Sequence, residues 1–85
     1  MGFLTRIAQS ADLVTGMADR LDIALDDRLL HHPEQESYRL RGMIMRCAGC
    51  AEKSACATLQ SGNTHLDAAP AYCRNRDALA AMQVA

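Results

Sequence analysis

The chain has no tryptophan, and its aromatic side chains are confined to Phe3, Tyr38 and Tyr72; its apolar composition is chiefly Ala, Leu and Met. Strands favour aromatic and β-branched residues, whereas Ala, Leu and Met favour helix, so an all-α fold is expected. Long apolar runs are also missing. The start, Met1-Gly2-Phe3-Leu4-Thr5-Arg6-Ile7, is soon broken by Gln9, Ser10 and Asp12, which argues against a secretion signal, and no segment is long enough to span a membrane. The expected compartment is the cytoplasm, where thiols stay reduced. No sign of charge dominates: the net charge is −1, which argues against broad electrostatic binding to nucleic acid. Neither a Ser/His/Asp motif, nor a Gly-rich phosphate loop, nor a paired-carboxylate context stands out. A chain of 85 residues offers little room for a substrate pocket, so a non-enzymatic role is expected.

Against these absences stand four cysteines, Cys47, Cys50, Cys56 and Cys73, spaced C-x2-C-x5-C-x16-C. Clustered cysteines in a reducing compartment are better read as ligands or redox groups than as disulfides. Four soft thiolates suit a tetrahedral zinc or an iron–sulfur cluster. Zinc sites of four thiolates usually come as two short pairs, and this chain has one. A cubane is larger than an ion and takes ligands that stand further apart on separate elements, so the spacing favours [4Fe–4S], with structural zinc as the alternative. A redox dithiol at Cys47 and Cys50 ranks lower, because a thioredoxin-like C-x-x-C needs a βαβ setting and no strand is in evidence.

The remainder reads as a holder for that site. Phe3, Ile7, Ser10, Val14, Met17 and Leu21 fall at alternating spacings of four and three, the seam of a helix over residues 2–21. That seam is read first as intramolecular core and second as a homodimer face. Asp26 or Asp27 is expected to cap a short helix through Arg28–His31, which Pro33 ends. A third helix should start at Pro33 or Glu34, with Glu34 and Glu36 at its positive end, and carry Leu40, Met43, Ile44 and Cys47 on one inward face. Gly49 is expected to allow a sharp turn or a close approach. A fourth helix over residues 52–60 should end at Ser61-Gly62-Asn63, and a last one over residues 75–84 should take Asn75 as its cap and pack through Leu79 and Met82. Met17, Met43, Met45 and Met82 are read as core filler.

Cys47-x2-Cys50-x5-Cys56 has the spacing of the cysteine triplet of WhiB-like proteins, which it resembles over about ten residues; these are small helical proteins holding a [4Fe–4S] cluster with a fourth, separate cysteine. In that family the lone cysteine precedes the triplet, and this chain lacks the family's Gly/Trp-rich turn and basic tail. The resemblance therefore implies cluster ligation by Cys47, Cys50, Cys56 and Cys73, and no contacts to DNA or sigma factor. The whole chain, including Ala69-Pro70-Ala71-Tyr72-Cys73-Arg74-Asn75, also looks like small bacterial proteins grouped as a domain of unknown function.

One domain over residues 1–85 is expected, with a helical part to residue 33 and a cysteine-containing part over residues 34–85: a bundle of four to five short helices around a cysteine-ligated metal or cluster. A group ligated by four thiolates carries a net charge of about −2, which Arg46, Lys53 and Arg74 are placed to offset. His31 and His32 are read as surface residues at a helix end. His65, in the loop before Cys73, is the histidine to suspect at the site. The expected role is one-electron transfer to a protein partner, or sensing of oxygen, nitric oxide or iron supply by loss of the cluster. The rival is a zinc-stabilised interaction module that meets its partner through the Phe3–Leu21 helix.

Overall fold

The computed structural model describes residues 2–83. Among them the chain forms five helices and no strand: α1 (Phe3–Arg20), α2 (Leu25–His31), α3 (Pro33–Ala48), α4 (Lys53–Gly62) and α5 (Arg76–Gln83). The expected end of the last helix at Val84 lies outside the described residues.

The predicted seam of α1 carries Ser10, Val14 and Met17 into the interior, with Ala18 beside them and Leu21 just beyond. α1 packs chiefly on α3 and also on α4. The first turn departs from the expectation, because Phe3 and Leu4 stay 66% and 80% exposed. From Ser10 onward the seam is consumed by the chain's own core, so a homodimer through the full Phe3–Leu21 face would have to displace it.

α1 ends in a tight reversal. The Ile23 amide donates to the Ala18 carbonyl at 2.9 Å and the Asp22 amide to Asp19 at 3.2 Å, the paired bonds of a Schellman stop. That geometry needs a left-handed residue, and Asp22 takes the position at φ 60°. Aspartate is among the non-glycine residues that tolerate this conformation. The turn drives Ile23 inward, and α2 starts two residues later at Leu25. Asp26 and Asp27 therefore fall inside the first turn of α2 and do not cap it, contrary to expectation; Ala24 precedes the helix without a side-chain bond. Their charge still lies near the positive helix end.

α3 opens on Pro33 as predicted, where a missing N–H costs nothing. Glu36, 7% exposed, is paired with Arg39 at 3.3 Å and Arg28 at 3.8 Å, which ties α2 to α3. Further along, Met43 is fully buried, and Leu40, Ile44 and Cys47 pack against the core. Met17, Met43, Leu79 and Met82, from three helices, supply much of its centre. Met45 is the exception among the methionines expected inside: it sits off the stripe and is 54% exposed.

Candidate functional site

The thiols arrive from separate elements. Cys47 is the penultimate residue of α3, and Cys50 lies just past its end. The Cys50 amide donates to the Cys47 carbonyl at 3.0 Å, so the C-x-x-C run keeps one helical turn and its two side chains share a side. Gly49 lies in the turn that ends α3, as expected, but adopts φ −88°, open to any residue, and a Cβ there would meet only ordinary contacts, so the turn does not require glycine. Cys56 lies in the first turns of α4. Cys73 ends a turn closed by its amide on the Pro70 carbonyl at 3.0 Å, and its own carbonyl accepts from the Arg76 amide as α5 starts.

Three polar clamps hold these elements against α1 and α3. Arg20 donates through Nε to the Gln60 and Asn63 carbonyls at 2.9 and 2.8 Å, and its own carbonyl accepts from the Leu66 amide at 2.8 Å, so α1 grips the end of α4 and the loop beyond. Gln60 reaches back through Nε2 to the Leu13 carbonyl at 2.9 Å. Asn75, 2% exposed, donates to the Met43 carbonyl at 2.8 Å and accepts from Arg46 Nη1 at 2.9 Å, which pins the Cys73 turn to α3. Asn75 thus stands at the start of α5 as expected, its carbonyl accepting from the Leu79 amide at 2.8 Å, while its side chain bonds to α3. At the far end of α4 the helix runs through Gly62, and Asn63 closes it by donating to the Leu59 carbonyl without a left-handed residue.

These clamps bring all four cysteines to one cleft, floored by Leu13, Val14, Met17 and Leu79 and edged by Lys53, Tyr72 and Arg74. The space between the side chains is about 20 Å³, roughly one water. Each thiol is partly buried. Burial pushes the Cys47, Cys56 and Cys73 thiols above their ordinary value, and the neighbouring thiols add to the rise. A hydrogen-bonding group opposes burial at each: the Ser10 side chain at Cys47, the Gln60 side chain at Cys56 and the Asn75 backbone at Cys73. Cys50 accepts from the Glu52 amide at 3.4 Å. Lys53 and Arg20 add favourable charge at Cys47 and Cys56 respectively.

The cleft therefore gathers four sulfurs, each beside a hydrogen-bonding group. Among the described residues no three His, Cys, Asp or Glu side chains converge closely enough to hold one metal ion. His65 does not line the cleft. It lies on the outside between Asp22 and Asp67, 3.3 Å from each carboxylate. Of the cations expected to offset charge, Lys53 and Arg74 line the cleft, while Arg46 is engaged with Asn75. Ser10, Arg20, Gln60 and Asn75 were not singled out as site residues from the sequence. The signals in the sequence are Ser10, a polar residue in an otherwise apolar seam, and Gln60, one helical turn after Cys56 on the predicted fourth helix.

Residues 1–85 match a family of unknown function (DUF6455), and the chain belongs to that family. No curated protein and no solved structure matches it at a significant level. No helix among the described residues is long and apolar enough to cross a membrane.

Proposed function

We propose that the protein is a small iron–sulfur protein in which Cys47, Cys50, Cys56 and Cys73 hold a [4Fe–4S] cluster that serves as a redox-, gas- or iron-responsive element. The observation that carries this reading is that four thiols separated by up to 26 positions in sequence line a single cleft. Four soft sulfurs facing one cleft form a donor set that suits iron or zinc, and the cysteine spacing is what favours the cluster. The triplet spacing shared with WhiB-like proteins supports the same ligand set. When bound, the group would supply one-electron chemistry and sensitivity to oxidants.

The chain's own residues do the rest. Lys53 and Arg74 place positive charge at the cleft, and the apolar floor from α1 and α5 limits water on the inner side. Because the cysteines stand on α3, on α4 and in the turn before α5, release of a group they ligate would leave α4 and that turn held by the polar clamps and by their apolar contacts with the core. This is a physical route from the state of the site to the shape a partner meets, and it favours a sensing or regulatory role over simple electron carriage. Structural zinc in an interaction module remains the reading to be distinguished. Purification under anaerobic conditions, followed by an absorption spectrum and assays of iron, sulfide and zinc, decides between them. The expected result is a brown protein with close to four iron and four sulfide per chain. A colourless protein with one zinc and no sulfide would sink the proposal.

A further inference from the structure

We infer that Gln60 is the positioning residue of this site: its carboxamide nitrogen fixes the Cys56 sulfur and tunes its electron density as a ligand. The inference rests on the four-thiolate reading of the cleft and adds the means by which one ligand is distinguished from the others. Gln60 is 8% exposed, although it stands near the end of a helix where a glutamine is ordinarily solvated. Its Nε2 meets two acceptors, the Leu13 carbonyl at 2.9 Å and Cys56 Sγ at 3.4 Å. The Leu13 carbonyl can only accept, so the nitrogen must face it, which settles the orientation of the amide and directs the same nitrogen at Cys56.

The opposite side of the carboxamide is fixed by a gap in α1. A Cβ on Gly16 would collide with Gln60 Oε1, so glycine at this position makes the room in which the amide lies. The backbone of the same residue is held as well, because the Gln60 carbonyl accepts from Arg20 Nε. Gln60 is thus fixed at main chain and side chain by α1 while its second N–H is directed at a sulfur. A donor to a ligating sulfur withdraws electron density from it, and such bonds are among the means by which a protein sets the potential and affinity of a thiolate site.

The test uses the full chain, stripped of metal and titrated anaerobically with Co(II), whose thiolate charge-transfer absorption reports on the ligating sulfurs whatever group the native site takes. Gln60→Met removes the donor at nearly constant volume. Gly16→Ala keeps Gln60 but fills the space its amide occupies, and it improves the helix propensity of α1. Both variants are expected to bind Co(II) on the order of tenfold more weakly and to shift the thiolate band to longer wavelength. An unchanged band in either folded variant overturns the assignment, since loss of stability alone would not move it. Should Gln60→Met fail to fold, Gly16→Ala decides. Absence of any thiolate band in the wild type overturns the assignment together with the four-thiolate reading. A wild type that shows the band yet takes up no iron and sulfide sinks the cluster reading alone, and the two variants still decide the role of Gln60.

Discussion

At the scale of single residues, the four cysteines are not equivalent. Cys47 extends the apolar stripe of α3, Cys50 follows the helix end, Cys56 stands beside Gln60, and Cys73 depends on a turn formed by a distant part of the chain. Cys73→Ser keeps the shape of the side chain but weakens it as a soft ligand. On the proposed [4Fe–4S] reading it is expected to release the cluster or change its type and to lower the melting temperature of the loaded protein, read by iron and sulfide content and thermal unfolding. Unchanged metal content would show that the fourth ligand is another group. His65 is a poor substitute, because it faces Asp22 and Asp67 on the exterior. The cysteines were legible because thiols in this spacing carry their chemistry in their identity, and Cys47 was legible as inward-facing because its stripe has helical period. Gln60 was legible as a neighbour of Cys56 by helical spacing, but its bond to Leu13 and that of Asn75 to Met43 were not, since nothing local tells whether an amide beside a helix end meets water or a distant carbonyl.

At the scale of elements, packing and polar clamps divide the labour. All five helices follow from periodicity and from Pro33, with boundaries near those expected. The C-cap of α4 followed at Asn63, but the side-chain N-caps did not: Asp26 and Asp27 fall inside α2, which starts just after the Schellman stop at Asp22, and the Asn75 side chain was taken by α3. A cap is a local choice, and a long-range partner can outbid it. Asn75→Ala should therefore act on the turn that carries Cys73. It takes from the buried Met43 carbonyl its donor from outside α3 and removes the acceptor of the Arg46 guanidinium, a loss of about 1–3 kcal/mol. Urea denaturation of the metal-free protein checks the magnitude. Limited proteolysis should show faster cleavage between α4 and α5, and an unaltered rate there would mean that the turn is held by other contacts.

At the scale of the whole molecule, a chain of 85 residues buries only a modest fraction of its surface, so its stability is thin and an added cross-link counts for much. The cleft lies where α1, α3, α4, α5 and the intervening turn meet. Hydrogen exchange, comparing loaded and stripped protein, is expected to show the largest loss of protection in α4 and across residues 63–75. α1 and α3, which pack most extensively on each other, should change least. A uniform loss across all helices would instead mean that the ligated group holds the entire fold, leaving no local element to act as a switch.

Arg20 also bears on the order in which the molecule is made. Its guanidinium is satisfied by the carbonyls of Gly16, Gln60 and Asn63, and its own carbonyl by the Leu66 amide. Of these four partners only Gly16 precedes it in the chain. During synthesis, which proceeds from the N-terminus, the helical platform emerges with that arginine still lacking most of its acceptors, and the cysteine triplet emerges before the residues that aim it. A chain cut short before residue 60 would therefore carry three cysteines, two of them paired by the end of α3, without the Gln60, Asn63 and Asn75 contacts that bring Cys56 and Cys73 to the cleft.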